Sequence, residues 1–409
     1  MVKQTGLRGS HVLTRPTRAH IDLDALRHNY RFARQLHGGR TLAVMKANAY
    51  GHGAVPCALA IQDMADGYAV AFMQEALELR EHGIDQPILV MEGVFDEQEM
   101  QAAFDKQLAI VIHQQEQVDL LERHGNNHCV QARQPRERLS NPNVNEGDGF
   151  PDDPRLDVWL KVDTGMHRLG FHPDEVAAVH QRLRTHALAR SVTLMTHFSR
   201  ADETHCAHTV RQIDCFDEVA GTIPGGASLC NSAGITAWPS ARRDWGRAGL
   251  MLYGADPTVT HQTELQPVMT LQSKIMAVRS VPAGEPIGYG AGYVTQRPTR
   301  IGVVAIGYGD GYPRHAPSGT PVLVDHQLTH LIGRVCMDML MVDLTDLPDT
   351  GIGSDVELWG KTLNVCTIAH HAGTVAHALL TGVMRVRRCF SASAQIKANN
   401  PQRDLSFAP

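Results

Sequence analysis

The chain has 409 residues, 43% of them hydrophobic and 20% charged, with a formal net charge of −5. That length exceeds what one hydrophobic core usually serves and predicts two domains. The mild acidic balance excludes an electrostatic case for nucleic acid or an anionic membrane surface, and no apolar run approaches the ~18 residues of a membrane span.

The eight cysteines show no Cys-x-x-Cys pair, as expected of free thiols in a reducing compartment. The N-terminal stretch leads into no apolar segment of the secretory kind, so a cytoplasmic protein is expected.

In chain order, residues 19–23 read as a strand, and Asp24 as the cap of a helix whose Leu26, Tyr30, Ala33 and Leu36 share one face. Residues 42–45 are a short apolar strand closed by Lys46. Apolar runs then alternate with amphipathic helices. Strands are expected at 68–72, 88–91, 109–112, 158–162, 192–195, 227–230 and 249–253, with helices near 75–82, 96–106 and 114–124. Eight strand-then-helix units in this span predict an α/β fold with an N-terminal (β/α)8 barrel over residues 24–266. A doubly wound open sheet remains the alternative, because periodicity does not decide closure. Residues 131–156, rich in Pro, Asn, Gly and Asp, read as a long surface loop.

Beyond residue 267 the rhythm changes to short strands between Gly, Pro and Asp turns: 270–281, 301–306, 322–324, 331–332, 341–342 and 356–359. No long helix is expected before about residue 365. Residues 267–409, with the strand near 19–23, are therefore expected to form a mostly β C-terminal domain.

The chemistry concentrates at the strand ends. Lys46 closes a buried strand and is followed by Tyr50, Gly51 and Gly53, a setting where desolvation favours the neutral amine and makes it a candidate Schiff-base nucleophile. A lone lysine at a strand end more often snorkels to water, so the neighbours decide. Arg168 lies past the strand at 158–162, where a guanidinium can fork onto a carboxylate. Asn231-Ser232 and Gly249-Leu250 follow two later strand positions, as a phosphate held by backbone N–H groups requires. Tyr289 and Tyr308 sit in Gly-Tyr-Gly turns that do not fit a dinucleotide fingerprint. His205 and His208 have helical spacing for a metal pair but no third ligand, and no metal is expected.

The stretch Lys46-Ala47-Asn48-Ala49-Tyr50-Gly51-His52-Gly53 closely resembles the cofactor-lysine segment of the alanine racemase family, which uses pyridoxal phosphate. Lys161-Val162-Asp163-Thr164-Gly165-Met166-His167-Arg168-Leu169-Gly170 is similar to a second motif of that family, and at least six motifs follow in order between about residues 19 and 388. The resemblance implies that Lys46 carries pyridoxal phosphate and serves one face of Cα, with Tyr289 from the partner of a homodimer serving the other. It implies Tyr50, His197, Asn231, Ser232, Arg247, Gly249 and Leu250 around the cofactor. His197 would lie under the ring and hydrogen-bond an arginine, and Arg247 would face the ring nitrogen. Arg168, Met337 and Asp338 would contact an amino-acid substrate. Lys161 is carried as a candidate N-carboxylated lysine holding Arg168, and Asp202, Tyr308 and Arg314 as supporting residues. Ser228 stands where many relatives have histidine. The implied reaction is interconversion of L- and D-alanine, with wall synthesis and D-alanine catabolism both open as its purpose.

Overall fold

The computed structural model describes residues 15–131, 155–185, 189–258 and 264–393. They form two compact units, one spanning Leu23–Gln266 and the other uniting the segment up to Asp22 with Pro267–Ala392. Strand β1 (Arg18–Asp22) belongs to the second.

The first unit is a ring of parallel strands: β2 (Arg40–Val44), β3 (Tyr68–Val70), β4 (Ile88–Val90), β5 (Ala109–Ile112), β6 (Leu156–Lys161), β7 (Ala189–Met195), β8 (Gly226–Ser228) and β9 (Trp245–Ala248). They pair in the order β8-β7-β6-β5-β4-β3-β2-β9. Helices on the outside include Leu23–His37, Met73–Glu81, Glu97–Asp105, Gln115–Gln131, Pro173–Thr185 and Ala207–Ala220. The strands are near-continuously buried, as expected where both faces are covered.

Closure is decided between β8 and β9, which share no strand ladder. Arg247 N donates to Cys230 O at 2.9 Å, and Ser228 Oγ donates to Trp245 O at 2.8 Å. The Arg247 side chain adds bonds from Nη1 to Ser228 O (3.0 Å) and from Nη2 to Thr196 O (2.6 Å) and Leu229 O (3.2 Å). The sheet is thus a nearly closed barrel, not an open doubly wound sheet.

Three local expectations need correction. The last barrel strand is Trp245–Ala248, and Leu250–Tyr253 is instead a 3-10 turn. That apolar run is buried on every side, so hydrophobicity alone mistakes it for a strand. Asp24 is not a cap: the helix already begins at Leu23, and the Asp24 carboxylate accepts from Ser393 N. In the second unit the strand lies at Gln327–His330, with Leu331 reduced to a single bridge to Val342. Its polar residues hide it from a hydrophobic reading. Most of the loop expected at 131–156 lies outside the described residues.

The second unit is mostly antiparallel. The strand β10 (Met269–Val281) runs through its centre, pairing with β1, with Thr299–Val304 and with Asp355–Trp359. The C-terminal strand Arg387–Ser391 lies parallel to β1, starting with Arg18 opposite Arg387. Trp359 and Tyr312 stack at 6.0 Å between ring centroids, and both are almost wholly buried. A satellite cluster of Ile287, Ile301 and Ile332 anchors the hairpin of Pro286–Ile287 and Tyr293–Val294, whose loop carries Tyr289.

Candidate active site

Most of the barrel residues singled out above lie at or within a few residues of the C-terminal end of a strand, the rim where parallel barrels place their chemistry. Lys46 follows β2, Lys161 ends β6, His197 follows β7, Asn231 and Ser232 follow β8, and Gly249 and Leu250 follow β9.

Lys46 opens an unusual turn. Ala47, Asn48, Ala49 and Tyr50 have φ of 51, 54, 52 and 51°, a left-handed helical turn built from L-residues. Each such residue costs about 1–2 kcal/mol relative to the right-handed form, because Cβ crowds the following carbonyl. Internal bonds offset part of that cost: Ala49 N to Met45 O (2.8 Å), Gly51 N to Ala47 O (3.0 Å) and Ala54 N to Asn48 Oδ1 (2.7 Å). The turn brings Tyr50 back over the barrel mouth, its ring stacked on Tyr253 at 4.9 Å. Burial pushes the Tyr50 phenol up to about 12, so it stays a neutral donor.

Tyr50, Ser232 and Gly249 meet. A Cβ added at Gly249 would lie 2.7 Å from Tyr50 Oη and 3.7 Å from Ser232 Oγ, so only glycine leaves room there. Ser232 Oγ accepts from Gly249 N (2.8 Å) and Met251 N (3.3 Å), which turns its own proton outward as a donor. Leu250 opens the 3-10 turn, so its N–H has no partner within it. Asn231 caps the helix Ser232–Ala237 by accepting from Gly234 N at 2.9 Å. Hydroxyls and the Leu250 N–H around a glycine cradle suit a phosphate.

The rim is strongly cationic. Burial, then the charges of Arg168 and Arg247, lowers the Lys46 pKa, while Glu92 and Glu75 oppose the shift. Lys161, 6% exposed, is depressed to about 8, chiefly by burial and then by Arg247, Arg168 and Lys46. Burial and the same cations hold His197 well below the usual histidine range, so its imidazole is neutral. Arg247, 3% exposed, is lowered to about 10 by burial and remains a cation at neutral pH. Among the described residues its hydrogen bonds use Nη1 and Nη2, which leaves Nε for a ligand such as a ring nitrogen. The ring of His197 makes no hydrogen bond to Arg247 among the described residues. These residues fit pyridoxal phosphate: a desolvated amine, a neutral imidazole, a buried cation with a spare N–H, and a phosphate cradle.

Arg168 is exposed on a loop organised by Asp163, which the sequence reading passed over. Asp163 Oδ1 accepts from Gly165, Met166 and His167 N at 3.0, 3.1 and 3.0 Å. The Asp-Thr-Gly order was its legible sign, since aspartate readily bonds to N–H groups two residues on. Gly170 is required where the loop returns, since a Cβ would sit 2.7 Å from Asp163 N. Asp202 is exposed beyond β7. Glu75 was also missed: its carboxylate reaches the turn after Lys46.

The remaining predicted residues belong to the second unit. Tyr289 is 66% exposed in a loop where Gly288, at φ 70°, would put a Cβ 2.8 Å from Met341 Cε. Tyr308 N donates to Cys336 O (2.9 Å) and Gly309 N to Met337 O (2.8 Å), tying the Tyr308 turn to the segment of Met337 and Asp338. Arg385 fastens the pair, donating to Gly309 O (2.8 Å) and Asp338 Oδ1 (2.6 Å). Arg314 lies over the Tyr308 ring at 5.7 Å.

Comparison with known proteins places these features in a family. Residues 21–257 match the family description "Alanine racemase, N-terminal domain", and residues 268–390 match "Alanine racemase, C-terminal domain". The chain is 52% identical to the alanine racemase of Azoarcus sp. strain BH72, over 91% of this chain and 98% of that one. It is 49% identical to the catabolic alanine racemase of Pseudomonas putida KT2440, over the same shares. Among solved structures, the biosynthetic alanine racemase of Pseudomonas aeruginosa superposes with a TM-score of 0.84 at 41% identity, over 93% of this chain and all of that one. The alanine racemase of Bartonella henselae, solved with covalently bound pyridoxal phosphate, gives 0.79 at 26% identity, over 92% and 99%.

Proposed function

The chain belongs to the alanine racemase family and interconverts L-alanine and D-alanine with pyridoxal phosphate, and we propose that Lys46 and Tyr289 move the Cα proton on its two faces. One base on one face would return the proton to the side it came from, so inversion needs two groups on opposite faces. When bound, the cofactor supplies an electron-withdrawing ring that acidifies the Cα–H of the amino acid joined to it. Lys46 is the residue we assign to hold it covalently. Tyr50, Asn231, Ser232, Gly249 and Leu250 would hold its phosphate, His197 would lie against its ring, and Arg247 would face the ring nitrogen. A guanidinium at that nitrogen disfavours its protonation and so favours return of the proton to Cα.

Arg168 would fork onto the substrate carboxylate, with N–H donors from Met337 and Asp338. Lys161, buried and depressed to about 8, is poised to react as a free amine with carbon dioxide. The carbamate so formed would give Arg168 a negatively charged partner, which it does not have among the described residues. Asp202, Tyr308 and Arg314 would line the approach to the site. The exposure of Tyr289 supports its donation from the partner of a homodimer. No helix among the described residues is long and apolar enough to cross a membrane. We assign the enzyme to the cytoplasm.

The observation that carries the assignment is Lys46, a half-buried amine at the cationic rim, followed directly by a left-handed turn. Reduction of the holoenzyme with borohydride and peptide mapping should place the cofactor adduct on Lys46. An adduct on another lysine overturns it.

A further inference from the structure

The turn that presents Lys46 is strained, and strained backbone persists only where its surroundings over-determine it. Its bonds described above run among residues 45–54, close in sequence. A tie from another element comes from Glu75, whose Oε1 accepts from Ala47 N at 2.6 Å. The other oxygen, Oε2, accepts from Ala71 N at 2.8 Å and Phe72 N at 3.2 Å. Ala47 follows the cofactor lysine directly, and Ala71 and Phe72 directly follow β3, the strand that pairs with β2. One carboxylate therefore spans two neighbouring strand ends.

From this geometry we infer that Glu75 is a positioning residue for the reaction, holding the left-handed turn so that Lys46 points into the site. The inference rests on the reading of Lys46 as the cofactor lysine. The simpler role for Glu75 is helix capping, since it is the third residue of Met73–Glu81 and bonds back to Phe72 N. Capping uses Oε2 and leaves the bond from Ala47 unexplained. Three N–H donors on one carboxylate also require both oxygens to accept, which an amide cannot do.

Two substitutions separate the roles. Glu75→Gln keeps the shape but has one accepting oxygen. Glu75→Asp keeps an acid in the first turn of the helix, yet is one methylene too short to reach Ala47. Hydrogen exchange on the full-length holoenzyme should show the 43–53 peptide exchanging at least tenfold faster in both variants. In Glu75→Asp the 73–81 peptide should stay near wild type. Cofactor release should accelerate by a similar factor, and kcat should fall tenfold or more while KM for alanine moves less than threefold. Unchanged exchange over 43–53 in both variants overturns the inference and leaves Glu75 as a helix cap. So does an Asp variant that restores both peptides and kcat. If borohydride mapping places the cofactor elsewhere, the reading of Lys46 fails on its own, and the exchange result still reports whether Glu75 holds the turn.

Discussion

The Arg247 guanidinium meets the Ser228 hydroxyl at 2.5 Å across the gap between β8 and β9, where the barrel has no strand ladder. The side chain thus adds to the backbone bond from Arg247 N to Cys230 O at this seam. Ser228 contributes to both ends of this seam, since its hydroxyl also donates to Trp245 O.

Removing the guanidinium should therefore damage stability before chemistry. Arg247→Met leaves the carbonyls of Thr196 and Leu229 buried without that donor, at about 1–3 kcal/mol for each unsatisfied group, while Ser228 O keeps its bond from Thr196 N. Ser228→Ala should cost less, about 1–2 kcal/mol. Urea midpoints of the two variants, followed by tryptophan fluorescence because Trp245 lies at the seam, would rank them. An Arg247→Met protein as stable as wild type would refute the seam.

The contact of Gly249 with Tyr50 predicts a coupled pair. Gly249→Ala should weaken pyridoxal phosphate binding about tenfold or more, since overpacking of a filled site costs about 1–3 kcal/mol. Gly249→Ala with Tyr50→Phe should bind better than the sum of the two single losses, because removing Oη restores the space. Equilibrium dialysis of all four proteins measures the coupling, and strict additivity would show that the two residues do not share the cradle.

Lys161 makes stability depend on alkaline pH. Its pKa is about 8 in the fold and about 10.5 unfolded, so between those values the unfolded chain binds more protons. Stability should then rise with pH from about 8 to 10.5, by up to about 3 kcal/mol, as the penalty for burying the ammonium is relieved. Lys161→Met should flatten this slope in carbon dioxide-free buffer. In bicarbonate the wild-type slope should flatten too if the amine is carboxylated, and carbon-13 NMR would show the carbamate. Identical pH slopes for wild type and Lys161→Met in carbon dioxide-free buffer would rule out this linkage.

Asp163 should act on substrate binding through Arg168. Asp163→Ala frees three N–H groups and the loop with them, so KM for alanine should rise about 10–100-fold, a loss of about 1.4–2.7 kcal/mol. Its kcat should change far less. Asp163→Asn keeps an accepting oxygen and should recover most of the loss. A kcat-only defect would place Asp163 elsewhere in the mechanism.

Tyr289→Phe tests the second base. The equilibrium constant between enantiomers is unity, so kcat/KM must fall together in both directions, here about a hundredfold or more. The discriminating measurement is the Cα deuterium isotope effect from each enantiomer. The two values should become unequal in the variant, with the larger on the L-to-D step. Equal effects at wild-type rates would remove Tyr289 from the chemistry.

Much of this protein was legible in local sequence. Alternating apolar runs gave the barrel's rhythm because a strand between helices is buried on both faces, and burial imprints directly on residue type. The site motifs were legible for a related reason. Lys46, Arg168, Asn231 and Gly249 each lie within a few residues of a strand end, so short spacing carries both position and chemistry. Closure of the ring was not legible, nor was the shift of the last strand from 249–253 to Trp245–Ala248. Closure rests on bonds between residues distant in sequence, Arg247 with Thr196 and Ser228 with Trp245. The hold of Glu75 on Ala47, 28 residues away, belongs to the same class. A hydrogen bond between distant residues leaves no period and no composition in the chain. Only the packing of β2 beside β3, and of β8 beside β9, decided that those groups would meet.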